Sequence, residues 1–169
     1  MPKDVPIIID VEASGFGQLS YPIEIGLALA SGERYCSLIA PHPEWIHWDE
    51  SAEKLHKVSR TLLEKSGKPI QEVATDLNRL LENRTIYTDG WVVDKPWIIR
   101  LFHGAGMKQL FSISALEIIL TEAQMAIWAE TKNRVIQELN LSRHRASNDA
   151  LIVQKTYMQT LQHTSQHAV

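Results

Sequence analysis

Three consecutive isoleucines at residues 7–9 run directly into two acids separated by one apolar residue, Asp10 and Glu12. An apolar run of this length, followed by the turn residues Gly15 and Gly17, is typical of a buried β-strand. Side chains alternate along a strand, so we expect Asp10 and Glu12 on the same face of a sheet. Because two adjacent carboxylates repel each other, the pair is either solvated at the strand end or neutralised by a hard divalent cation such as Mg²⁺ or Mn²⁺.

After this strand, the pattern of apolar residues changes from short runs to helical periodicity. Strands are predicted at residues 7–9 leading into Asp10, 23–30, 35–40, 85–88 and 109–112, and helices at 49–65, 69–81, 94–102, within a broken stretch over 114–141, and from about 147. A strand meander followed by alternating helices and strands favours a mixed five-stranded sheet flanked by helices. The predicted fold class is therefore α/β, of the ribonuclease H-like kind.

Length and composition narrow the class of protein further. The 169 residues are 44% hydrophobic and 22% charged, which predicts one domain over residues 1–169, with its core at about 5–162 and a short C-terminal tail. The only cysteine, Cys36, excludes a disulfide framework. No apolar stretch reaches the roughly 18 residues of a membrane span, and no secretory segment develops before Asp10, so we expect no membrane contact and a cytoplasmic location.

The net charge of −3 argues against a protein that grips long nucleic acid through many phosphate contacts. A nucleic acid ligand, if there is one, is expected to be a short stretch.

A second acidic feature follows the predicted strand at residues 85–88. Asp89 and Asp94 lie where a strand ends and a helix begins, and an acid at that place commonly caps the first turn of the helix. Either helix capping or ligand binding explains the two acids when they are considered alone.

A third feature pairs His144 with Asp149. Ser147 or Asn148 can cap the last helix, which places Asp149 in its first turn and His144 in the preceding loop. Taken alone, the histidine reads as solvated and Asp149 as a partner of the helix dipole. However, Asp10 and Glu12, Asp94, and Asp149 come from three separate regions, each at a strand end or helix start, where ligands gather in α/β sheets.

These motifs together resemble the DEDDh 3′-to-5′ exonucleases, also called DnaQ-like proofreading exonucleases. The first motif appears as Asp10-Val-Glu12-Ala-Ser14-Gly15 with Glu24-Ile25-Gly26 downstream, the second ends at Asp94, and the third is His144 with Asp149. A further similarity is His56-Lys-Val-Ser59, where many members carry His-Gly-Ile-Thr. The sequence departs from the family at Gly90, where many members have Asn, and at Ala13-Ser14, where Thr-Thr is frequent, and Asp89 competes with Asp94 for the second motif.

The resemblance implies a metal-dependent nuclease. Two divalent ions, Mg²⁺ or Mn²⁺, would be bound by Asp10, Glu12, Asp94 and Asp149, and His144 would accept a proton from the attacking water. The products would be nucleoside 5′-monophosphates, released one at a time from the 3′ ends of short or single-stranded DNA or RNA. Small members of such families often dimerise, which leaves a homodimer open.

Substrate contacts are also implied by the resemblance. Ala13, through its backbone, and Ser14 would face the terminal sugar, and Phe16 would stack on the last bases or instead anchor its loop in the core. His56 would contact the terminal nucleotide or cap a helix. Two rival functions remain: a nucleic-acid-binding or protein-binding module on the same fold with weak or no catalysis, and a nuclease that cuts internally.

Overall fold

The computed structural model describes residues 5–166, in which helices cover both faces of a five-stranded sheet. The strands are β1 (Ile8–Ala13), β2 (Pro22–Ala28), β3 (Arg34–Leu38), β4 (Thr85–Thr88) and β5 (Ser112–Ala115). The helices are α1 (Glu50–His56), α2 (Arg60–Ser66), α3 (Ile70–Leu81), α4 (Trp91–Ala105), α5 (Glu122–Leu139) and α6 (Ala146–Gln166), with a 3₁₀ turn at Leu116–Ile119.

The sheet has the order β3-β2-β1-β4-β5. β1, β2 and β3 pair antiparallel, whereas β1, β4 and β5 are parallel. The predicted α/β class with a mixed five-stranded sheet and flanking helices is confirmed. The parallel order brings the ends of β1 and β4 to the same edge of the sheet, where ligands bind in α/β folds.

The central strand β1 divides the core into two layers. Ile9, Val11 and Ala13 belong to the larger cluster, which includes side chains of α3 and α4. Ile8 faces the other way and packs with residues of α6, including Val153. Because side chains alternate along a strand, Asp10 and Glu12 share the α6 face with Ile8.

Several predicted boundaries differ from those in the structure. The predicted helix at 49–65 is two helices, because Lys57 adopts a left-handed conformation with φ of 58° and ends α1. The first strand continues to Ala13, paired along its length with β2. The fifth strand lies three residues later than predicted, at Ser112–Ala115, where it pairs with β4.

One helix start and one helix cap also differ from the prediction. α4 begins at Trp91 rather than Asp94, so Asp94 lies within the first turn of the helix and the alternative in which it caps the helix is wrong. α6 begins at Ala146, so neither Ser147 nor Asn148 caps it. It also continues to Gln166, beyond the predicted end of the core.

No helix within residues 5–166 has both the length and the apolarity needed to cross a membrane. The single-domain prediction extends over residues 1–4 and 167–169, which lie outside the described residues.

Candidate active site

Three elements bring the predicted acids to one cavity of about 290 Å³. β1 contributes Asp10 and Glu12, α4 contributes Asp94, and the start of α6 with its preceding loop contributes Asp149 and His144. All five of these predicted residues line the cavity. They lie far apart in the sequence, and it is the sheet order that makes them neighbours.

Burial and mutual repulsion dominate the electrostatics of the β1 acids. Burial, followed by the charges of Asp94, Glu12 and Asp149, raises the pKa of Asp10 well above its usual range. Burial, with the nearby carboxylates of Asp149 and Glu24, raises the pKa of Glu12 to about 8. A carboxyl with a raised pKa favours its protonated form unless a cation replaces the proton.

Asp94 is almost fully buried, with 3% of its surface exposed. Burial raises its pKa to about 7, although the hydroxyl of Thr88 donates a hydrogen bond to its Oδ2 and opposes the shift. The Thr88 hydroxyl in turn accepts the backbone N–H of Gly90 over 2.9 Å. The turn between β4 and α4 therefore fixes the orientation of Asp94.

The carboxylate of Asp149 organises the loop that carries His144. Arg143 Nε donates to its Oδ1 over 2.7 Å, and the backbone N–H of His144 donates to its Oδ2 over 2.8 Å. His144 has φ of 58°, in the left-handed region that non-glycine residues seldom adopt. Ligand atoms of Glu12, His144 and Asp149 lie within 4.8 Å of one another.

Asp89 occupies a different position from Asp94. It forms an ion pair of 2.7 Å with Lys132 on α5. It lines a smaller cavity of about 100 Å³ together with Asp10 and Asp149, which line both cavities, but Asp89 itself does not line the larger one. Of the two acids that competed for the second motif, Asp94 is the one that lines the larger cavity.

The predicted substrate contacts divide into two groups. Ala13, Phe16 and His56 line the cavity. Phe16 is 72% exposed, so the alternative in which it anchors its loop in the core is wrong. Ser14 is fully buried away from the cavity, where its hydroxyl accepts the N–H of Tyr21 and pairs with Nδ1 of His47. In this arrangement Ser14 shapes the loop after β1, and its side chain does not reach a ligand in the cavity.

His56 closes the turn after α1 and also lines the cavity, whereas its predicted contact with the terminal nucleotide stays a prediction. Its Nδ1 accepts the N–H of Val58 over 3.1 Å and closes the turn after α1, so the neutral ring carries its proton on Nε2. Within the described residues, Nε2 is buried without a hydrogen-bond partner. Burial lowers the pKa of His56, which keeps the ring neutral near pH 7. The backbone of Ala13 opposes this shift, although Nε2 makes no hydrogen bond of normal geometry within the described residues.

Sequence reasoning gave no role to Glu24, which lies directly opposite Glu12 on β2. Glu24 is fully buried and binds Arg145 and the first N–H of α6. The sequence carries a signal for this residue, because an acid in the middle of the apolar strand Pro22–Ala28 needs a buried partner.

The donor set fits a hard divalent cation. Four carboxylates converge, and the strongest electrostatic influences on Asp10 come from other acids rather than from a lysine or arginine. Oxygen donors of this kind are the preferred ligands of Mg²⁺ and Mn²⁺, and a cation would offset the repulsion that raises these pKa values.

Comparison with known proteins gives matches in structure but not in sequence. The chain matches no protein-family profile and no curated protein. Its fold is similar to E. coli exonuclease I in a zinc-bound complex with single-stranded DNA, with a TM-score of 0.65 and 13% identity over 96% of this chain and 41% of that one. A second exonuclease I structure gives a TM-score of 0.67 at 11% identity over 95% and 43% of the two chains, and the apo form of exonuclease I gives 0.65 at 12% over 94% and 41%.

This chain thus spans about two fifths of the length of these structural neighbours. At such low identity the likeness establishes the fold, and the predicted ribonuclease H-like α/β architecture is confirmed.

Proposed function

We propose that this protein is a metal-dependent 3′-to-5′ exonuclease that releases nucleoside 5′-monophosphates from short or single-stranded nucleic acid. The observation that carries the proposal is the convergence of Asp10, Glu12, Asp94, His144 and Asp149 in one cavity. The structural neighbours are exonucleases, and several were solved with single-stranded DNA, which supports a nuclease and a single-stranded ligand.

The acids would hold two divalent ions, Mg²⁺ or Mn²⁺. A pair of ions bound there would stabilise the charge that develops on the attacking and leaving oxygens. Asp94 is held by Thr88 and Asp149 by its own loop, so both carboxylates are pre-oriented. Pre-orientation lowers the cost of organising the site during each reaction.

His144 is the candidate general base. It lines the same cavity as the four acids, and histidine is the side chain that most often transfers protons in general acid–base catalysis. The backbone bond to Asp149 fixes the loop from which the ring extends. His144 would take the proton of the attacking water, while the carboxylates, being acceptors, would orient that water.

The apolar part of the cavity lining suits a nucleoside. Phe16 is exposed with its ring 6.2 Å from that of Trp97, and Leu55 adds apolar surface. An exposed aromatic ring can stack on a base with little dependence on sequence. His56 also lines the cavity and would contact the sugar or base of a bound nucleoside.

The test measures nucleotide release from the 3′ ends of short DNA and RNA oligonucleotides of graded length, with Mn²⁺ or Mg²⁺. We expect a ladder of shortened products with the wild-type protein. Asp10→Ala, or EDTA, should reduce release by at least about 10³-fold. Retained activity in either condition contradicts the metal mechanism, and internal fragments instead of a ladder indicate the nuclease that cuts internally.

One observation favours the rival binding module. Both oxygens of Asp149 are already engaged, one by Arg143 and one by the His144 N–H. If these contacts persist with metal, the site would bind nucleic acid without cutting it. Binding of the same oligonucleotides with no shortening would establish that function.

A further inference from the structure

Glu24 is a carboxylate buried in the middle of β2 with 0% of its surface exposed. Besides Cys36 on β3, its partners come from the segment that follows His144. Arg145 Nε donates to Oε1 and Oε2 over 3.2 and 2.9 Å, and the backbone N–H of Ala146 donates to Oε1 over 2.8 Å. Glu24 therefore caps α6 from a neighbouring strand and takes the place of a cap within the helix's own sequence.

Two carboxylates together hold four consecutive residues around His144. Asp149 accepts from the side chain of Arg143 and the backbone of His144. Glu24 accepts from the side chain of Arg145 and the backbone of Ala146. The left-handed conformation at His144 lies between these two sets of contacts, and such a backbone persists only where its surroundings determine it.

The Asp149 contacts and the Glu24 contacts would respond differently to a cation in the cavity. Asp149 lines the acidic cavity and is a candidate metal ligand, so its oxygens would be shared between the loop and the ion. Glu24 is outside the lining of that cavity and is fully buried against the loop. Its contacts with residues 145 and 146 do not compete with a metal.

The backbone of β2 fits closely against the same segment. A Cβ added to Gly26 would lie 2.0 Å from the Ser147 nitrogen and 2.1 Å from the Ala146 carbonyl carbon. The start of α6 thus rests directly on β2, two residues from Glu24. The strand and its acid together form a rigid support for the loop.

We infer that Glu24 is a positioning residue that fixes the His144 loop independently of Asp149, and so holds the His144 ring at the cavity when Asp149 binds metal. The inference rests on the proposed function for its catalytic consequence, whereas the anchoring itself can be measured without turnover.

The test compares Glu24→Ala, which removes both contacts, with Glu24→Gln, which keeps an acceptor for the Ala146 N–H but has no charge for Arg145. Asp76→Asn is the matched control, because Asp76 also accepts from several donors, Lys68 and Tyr35 among them, but lies away from the cavity. The first readout is amide hydrogen exchange at residues 143–146 with saturating Mg²⁺. The second is kcat and KM for nucleotide release, normalised to the folded fraction.

We expect exchange at residues 143–146 to rise at least about tenfold in Glu24→Ala and less in Glu24→Gln. kcat should fall about 10²-fold in Glu24→Ala and partly recover in Glu24→Gln, with KM nearly unchanged because Glu24 does not line the cavity. Asp76→Asn should match the wild type in both readouts. If Glu24→Ala does not fold, the comparison of exchange and kcat between Glu24→Gln and Asp76→Asn tests the inference.

Exchange and kcat in the Glu24 variants equal to those of Asp76→Asn would overturn the inference. A wild-type protein that releases no nucleotide would overturn the proposed function instead. In that case the exchange measurement alone still decides whether Glu24 anchors the loop.

Discussion

His144 could act in the acidic cavity either as a general base or as a metal ligand, because a ring nitrogen lies within 4.8 Å of carboxylate oxygens of Glu12 and Asp149. We predict that it transfers a proton and does not hold metal. His144→Asn should lower kcat by about 10²- to 10⁴-fold, the usual contribution of a general base, while Mn²⁺ affinity stays within about threefold. Asn is chosen because it tolerates the left-handed backbone at this position.

Calorimetric titration with Mn²⁺ checks the second half of this prediction. A loss of affinity of tenfold or more, about 1.4 kcal/mol, would reassign His144 as a metal ligand.

His56 lines the cavity, and we predict that its Nε2–H contacts the nucleoside. His56→Asn keeps a side-chain acceptor in the place of Nδ1 and removes the Nε2–H donor, so KM for a short oligonucleotide should rise about tenfold, as expected for one lost hydrogen bond of about 1 to 1.5 kcal/mol. Metal affinity should not change, since His56 is not among the acids. Steady-state kinetics with graded oligonucleotides measures the effect, and an unchanged KM would limit His56 to closing the turn after α1.

At the scale of the elements, the contact between β2 and α6 sets the position of Asp149. We predict that Gly26→Ala destabilises the protein by about 3 kcal/mol or more, because the added Cβ would meet backbone atoms of Ala146 and Ser147 that cannot rotate away. Gly32→Ala is the control, since a Cβ added to Gly32 would meet no described atom within 4 Å and only its φ of 89° opposes a side chain. Its expected cost is about 1–2 kcal/mol. Urea unfolding measures the loss of stability in both variants. Equal losses would show that the contact between β2 and α6 adjusts to the added Cβ at little cost in free energy.

The elements also show what sequence patterns could and could not predict. The strand carrying Asp10 and Glu12 was predicted because alternation depends only on local geometry. The break of the helix at Lys57 was not, since Lys has no particular preference for the left-handed conformation that ends α1 there. The start of α4 before Asp94 was also missed, because the N-cap Gly90 offers no side-chain cap.

The same limit applies within the site. The acids and His144 could be named from their order in the chain, but the burial of Ser14 depends on His47 and Tyr21, residues that only the folded chain brings to it. Long-range partners such as Glu24 with Arg145 have no local signature beyond an acid in an apolar strand. The predicted homodimer and cytoplasmic location stay predictions.

For the whole molecule, the acidic cavity makes the stability of the fold depend on both pH and metal. Rising pH should lower the stability, and bound metal should raise it. The pKa values of Glu12 and Asp94 are raised to about 8 and about 7. A raised carboxyl pKa contributes stability that is fully present below the unfolded value of about 4 and is lost as pH rises through the folded value. In EDTA, the melting temperature should therefore fall by on the order of 5 °C between about pH 6 and about pH 9.

Added Mg²⁺ should reverse this trend, because a cation that replaces the protons binds more tightly as the carboxyls ionise. The increment in melting temperature caused by Mg²⁺ should thus be larger at about pH 9 than at about pH 6. Glu12→Gln is the comparison that separates the cavity from other titrating groups: it should flatten the EDTA trend and reduce the Mg²⁺ increment. An increment that is the same at both pH values, or unchanged in Glu12→Gln, would show that the carboxylates do not act together on one cation.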